Sequence, residues 1–93
     1  MFQCGIELEA SSTQISSNTM SNICNRHIPA NDFYNCYAQW ISGSNDFSKK
    51  WVLKSDCSCG HELNTPAFHY SEAGLGKVLQ TIDKIAQSSR KDL

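Results

Sequence analysis

Phe2, Cys4, Ile6, Leu8 and Ala10 alternate along the chain with Gln3, Gly5, Glu7 and Glu9. Residues two apart on a strand share a face, so this opening stretch predicts one strand with an apolar face and a face bearing two carboxylates. Stacked carboxylates repel unless something positive lies beside them. The face is therefore either a solvated acidic surface or a pair of hard oxygen ligands for a divalent cation. The far end of the chain has the other period. Leu75, Val78, Leu79, Ile82, Ile85 and Ala86 recur at spacings of three and four, which predicts a helix from Ser71 to Ser89 with a single apolar stripe. Lys77, Gln80, Asp83, Lys84 and Gln87 fill its other faces. Ser71 is the expected cap, and Glu72 stands where the helix dipole favours an anion. Residues Ser88 to Leu93 are expected to fray.

Between these elements the pattern is weaker. Nine of the twelve residues from Ser11 to Asn22 are Ser, Thr or Asn, which favour turns and caps over regular structure. Ile15, Met20 and Ile23 make only a sparse stripe, compatible with a short helix ending near His27 and closed by Ile28-Pro29. Phe33, Tyr37, Trp40 and Ile41 fit a helical face, while the aromatic enrichment of the segment, Tyr34 included, fits a strand equally well. With the strand over Lys50 to Ser55 they suggest a hairpin, turning at Ser42 to Asp46. Asp56 to Gly60 reads as a tight connection, and His61 to Thr65 as a short strand closed by Pro66.

These elements define an α+β fold: a small, mostly antiparallel sheet of three to four strands with the C-terminal helix across one face. On the strand period Trp51 and Leu53 share a face, as do His61, Leu63 and Thr65, while Glu62 falls with Asn64. If Leu63, Trp51 and Leu53 join Ile6 and Leu8 under the helix, Asp56 and Glu62 emerge beside Glu7 and Glu9. Four carboxylates on one face would raise one another's pKa or recruit a cation. Octahedral Mg²⁺ sharing ligands with a nucleotide's phosphates would suit them.

The 93 residues make a single domain, residues 1–93, with a thin core that invites self-association or a partner protein. A formal net charge of -1 argues against nucleic acid or an anionic membrane as partner. No apolar run approaches the roughly 20 residues of a membrane span. The opening residues lack the basic region and apolar core of a secretory signal. Five cysteines (Cys4, Cys24, Cys36, Cys57 and Cys59) without such a signal suggest reduced thiols in a cytoplasmic protein.

The order of motifs is informative. Gly5-Ile6-Glu7-Leu8-Glu9 is followed by the aromatic segment at Phe33-Tyr34-Asn35. Then come Trp51-Val52-Leu53-Lys54-Ser55-Asp56-Cys57-Ser58-Cys59-Gly60 and Glu62-Leu63-Asn64-Thr65-Pro66. Gly74-Leu75-Gly76-Lys77-Val78-Leu79 opens the last helix. This series resembles the N-terminal part of the amidoligase family, the carboxylate–amine ligases related to glutamine synthetase and glutamate–cysteine ligase. The resemblance spans most of the chain and is weakest from Ser11 to Asn31. It implies ATP-dependent ligation, in which a carboxylate is phosphorylated and an amine displaces the phosphate to give an amide. It also implies ATP and Mg²⁺ as cofactors, with Glu7, Glu9 and Glu62 as metal- and cofactor-binding residues. Asp56 with Ser58 would match the family's Asp-x-Ser element, which lines the substrate or nucleotide cleft. Family members continue into a His-x-His-type strand and phosphate-binding basic residues that this chain does not contain. The expectation is therefore a shortened ligase-like domain whose site needs a partner or a second copy. The alternative is a non-catalytic binding or inhibitor protein, of phage or mobile-element type, on the same scaffold.

Other chemistry is less well supported. Cys57-x-Cys59-x-His61 with His69 has the look of a metal clip, but C-x-C spacing makes a strained chelate and argues against zinc. Cys57 as a nucleophile has no His/Asp partner at an informative spacing. His61 otherwise reads as a histidine satisfied by a backbone carbonyl, the cysteines as small apolar fillers, and the aromatics as core.

Overall fold

A computed structural model of the chain describes residues 3–11, 13–37, 49–56, 60–69 and 72–91. The elements in order are β1 (Gln3–Cys4), β2 (Glu7–Ser11), α1 (Ser17–His27), a 3-10 turn at Ala30–Asp32, β3 (Phe33–Asn35), β4 (Trp51–Asp56), β5 (Gly60–Asn64), β6 (Phe68–His69) and α2 (Glu72–Lys91). The main sheet runs β2-β5-β4-β3, and β1 pairs separately with β6. Strands β2, β5 and β4 are antiparallel neighbours, and β3 lies parallel to β4. The fold is α+β, with two helices and the C-terminal one packed against the sheet.

The opening stretch is two strands rather than one. Gln3 and Cys4 pair with His69 and Phe68, and the chain then enters the main sheet at Glu7. Ile6, Leu8 and Ala10 still pack against the core, as their alternation requires. Helix α1 starts at the Ser16 cap, whose hydroxyl accepts from Thr19 N at 3.1 Å, and Ile28 ends it. It carries the chain from β2 on one edge of the sheet to β3 on the other. Its buried face is Met20, Ser21, Ile23 and Cys24.

The hairpin expected between the aromatic segment and β4 is not formed. Phe33, Tyr34 and Asn35 pair with Trp51, Val52 and Leu53 in the same direction. Parallel neighbours need a crossover of a dozen or more residues, which the segment from Cys36 to Lys50 is long enough to supply. The expected turn at residues 42–46, and Trp40 and Ile41, lie outside the described residues.

The core joins Ile15, Met20, Ile23, Cys24 and Ile28 to Phe33, Trp51, Leu53 and Leu63 of the sheet and to Val78 and Ile85 of α2. Leu79, expected in the buried stripe, is instead 48% exposed, while Ile82 is partly buried. Val78 and Ile85 are seven apart, two turns of one line down the helix, and Leu79 falls on its flank. Nor does the helix fray at Ser88: it runs to Lys91, with Ser88 Oγ 2.9 Å from His27 Nε2 and Ser89 Oγ donating to Ile85 O. The expected Ser71 cap lies outside the described residues, as do the side chains of Phe2 and Cys4. Among the described residues no helix is long and apolar enough to cross a membrane.

Candidate functional site

The site is built from the registers of β2, β5 and β4. Glu7 stands opposite Asn64, and Glu9 opposite Glu62. Across the next ladder Asn64 faces Val52, and Glu62 faces Lys54. Leu63 and His61 turn the other way, into the helix-covered side, where both are buried. Glu7, Glu9 and Glu62 therefore share the sheet face away from the core, as their strand periods predict. Asp56 closes β4 at the register position opposite Gly60. Ser58 lies outside the described residues, with Cys57 and Cys59.

The three glutamates are not equivalent. Glu7 and Glu9 are exposed. Glu62 is buried, and its Oε2 lies 3.1 Å from Lys54 Nζ. Lys54 shares this face by its strand period. Its position two residues from both Val52 and Asp56 was visible, but its pairing with Glu62 depends on the β4–β5 register. Asn64 lies on the same face, opposite Glu7. Its Oδ1 is buried and has no hydrogen-bond partner among the described residues, a costly state for an acceptor that a cation or a donor group would relieve.

Carboxylates and an amide oxygen are hard donors, the set that suits Mg²⁺. Among the described residues no three His, Cys, Asp or Glu side chains are gathered closely enough to hold a metal ion by themselves. A cation on this face would need further oxygen ligands beyond these side chains, such as phosphate oxygens or water.

On the covered side His61 is only 4% exposed and bonded at both ring nitrogens. Nε2 lies 2.7 Å from Ile15 O and Nδ1 2.7 Å from Tyr37 Oη. With Nε2–H donating to the carbonyl, Nδ1 accepts from the tyrosine hydroxyl. Tyr37 Oη also lies 3.2 Å from Lys54 O and 3.3 Å from Gly60 O, so it has a second acceptor if the ring donates from both nitrogens. Gly60 itself has φ 114°, a conformation that side chains with a Cβ rarely adopt. Burial pushes the Tyr37 hydroxyl up, as it does the Cys36 thiol. It pushes the Cys24 thiol up to about 12. Cys24 and Cys36 are free thiols. The side chain of His69 is outside the described residues.

Comparison of the chain with protein-family models, with curated proteins and with solved structures finds no match in any of the three.

Proposed function

We propose that the chain is an amidoligase-like half-site that binds ATP with Mg²⁺ and serves carboxylate–amine ligation. The observation that carries this reading is the register of Glu9 against Glu62, with Glu7 on the same sheet face. One or two of the carboxylates Glu7, Glu9 and Glu62 would hold the Mg²⁺, which when bound would offset the charge of the nucleotide's phosphates. Lys54, already beside Glu62, supplies a positive group to that face. Asp56 and Ser58 would line the substrate or nucleotide cleft. A homo-oligomer or a partner protein would complete the site. Incubating the 93-residue chain with ATP, Mg²⁺ and a panel of carboxylates and amines tests the activity. Release of ADP and phosphate together with an amide supports the ligase; ATP binding without turnover supports a half-site awaiting its complement.

A second reading is favoured by a separate observation: the buried groups of His61, Glu62 and Cys24 are committed to structure. His61 has a partner at each nitrogen, Glu62 is paired with Lys54, and the Cys24 thiol is held protonated. A non-catalytic binding or inhibitor protein of phage or mobile-element type, retaining a ligase-like scaffold, accounts for this arrangement. Failure to bind nucleotide, with formation of a stoichiometric complex with another protein, selects it.

A further inference from the structure

β2 is an outer strand of the main sheet, with β5 on its inner side. Thr65 N donates to Ile6 O at 2.9 Å, and Ile6 N donates to Thr65 Oγ1 at 2.9 Å. This contact sets the phase of the ladder, because in an antiparallel pair alternate residues turn their backbone groups toward the partner strand. Leu8 and Ala10 bond inward to β5. Glu7 and Glu9 therefore point their N–H and C=O groups out of the sheet edge, where no other backbone group among the described residues meets them.

The two sides of that edge differ sharply. On one side are the exposed carboxylates of Glu7 and Glu9. On the other is a cavity of about 240 Å³ lined mainly by apolar residues such as Leu8, Ala10, Leu63 and Ile82, with Glu9 and Arg90 also on its wall. Exposed Leu79 lies three and seven residues before Ile82 and Ala86, on the same helical face, and prolongs the apolar ridge. A second copy of β2 is a poor occupant. Antiparallel self-pairing centred on Glu9 would set Glu9 against Glu9, a like-charge pair.

We infer that the outer edge of β2 receives an extended segment of another polypeptide in which basic and apolar residues alternate. Its backbone pairs with Glu7 and Glu9, its basic side chains lie beside their carboxylates, and its apolar side chains enter the cavity between β2 and α2. The opposite phase would bring basic side chains to an apolar lining that already carries Arg90. This inference goes beyond both readings above and requires neither metal nor nucleotide.

The test uses the whole chain in chelator-treated buffer with three capped peptides of about ten residues, enough to span a strand. One alternates Lys and Val, one has the same composition in two blocks, and one alternates Glu and Val. The alternating Lys–Val peptide is expected to bind at least about tenfold more tightly than the block peptide, with the Glu–Val peptide weakest. It should also slow hydrogen exchange at the Glu7 and Glu9 amides. The E7K/E9K variant should prefer the Glu–Val peptide. Glu9→Pro removes an outward N–H at a position where an edge strand tolerates proline, and should lose binding. Equal binding of alternating and block peptides, protection away from β2, unchanged preference in E7K/E9K, or no binding overturns the inference.

Discussion

Lys54 and Glu62 face each other on adjacent strands with Nζ 3.1 Å from Oε2, the lysine side chain 47% exposed and the glutamate 10%. Glu9 stands on the far side of Glu62, so one row across the sheet carries two carboxylates and then a cation. The lysine keeps a nearly buried carboxylate from standing unpaired beside a second one. Because Lys54 is half in solvent, the pair is worth no more than a favourable surface bridge. Lys54→Met should cost about 1 kcal/mol, and a double-mutant cycle with Glu62→Gln should give a coupling of roughly 0.5–1 kcal/mol. Urea melts of the four proteins measure it, and strict additivity would mean that the pair does not form in solution.

The burial along α2 makes a sharper prediction about its stripe. Ile85→Ala removes a buried side chain beneath the helix and should cost about 2–5 kcal/mol, a large part of a small domain's stability. Leu79→Ala, at a half-exposed position, should cost less than about 1 kcal/mol. Equal losses in urea melts would mean that α2 is rotated from the orientation described.

Cys24 adds a pH dependence. Burial raises its thiol from 9.0 to about 12, and Cys36 and Tyr37 are raised in the same direction. The folded chain therefore holds protons that the unfolded chain releases. Stability is fully present below the unfolded thiol pKa of about 9 and should fall as pH rises from there toward 12. Urea midpoints taken across this range should decline, and Cys24→Ala should flatten the decline. A midpoint that holds steady or rises would contradict the burial of this thiol.

Tyr37→Phe removes the hydroxyl 2.7 Å from His61 Nδ1 and leaves a buried nitrogen without its partner. The loss should be about 1–2 kcal/mol, since an unsatisfied buried group costs more than an exposed one. The imidazole resonance of His61 in NMR should shift as well. An unchanged resonance would show that the contact is absent in solution.

The carboxylate face was legible before the structure because a strand's period of two assigns faces without knowledge of neighbours. Glu7, Glu9 and Glu62 needed only that rule and the apolar partners Leu8 and Leu63. What pairs with them was not legible. Lys54 reaches Glu62 only because β4 and β5 align at that register, a tertiary fact. The direction of β3 was hidden for a similar reason, since Phe33 to Asn35 read the same whether they run with β4 or against it. Helix α1 was obscured by its own composition: Cys24 completes the spacing of Met20 and Ile23, and Ser21 is buried with its hydroxyl bonded to Ser17 O. In α2 the stripe of threes and fours is wider than the line that touches the sheet, so Leu79 satisfied the pattern without being covered.

The claim that these glutamates form a cation site for a bound nucleotide is tested most directly by titrating Mn²⁺ against the protein with a non-hydrolysable ATP analogue present. Free Mn²⁺ is followed by electron paramagnetic resonance, for wild type, Glu9→Gln and the exposed helix control Gln80→Ala. The account predicts saturable binding by wild type and Gln80→Ala, weakened at least about tenfold in Glu9→Gln. The thermal melt of Glu9→Gln should be unchanged, because Glu9 is exposed. Equal binding by all three proteins, or none by wild type, would contradict it.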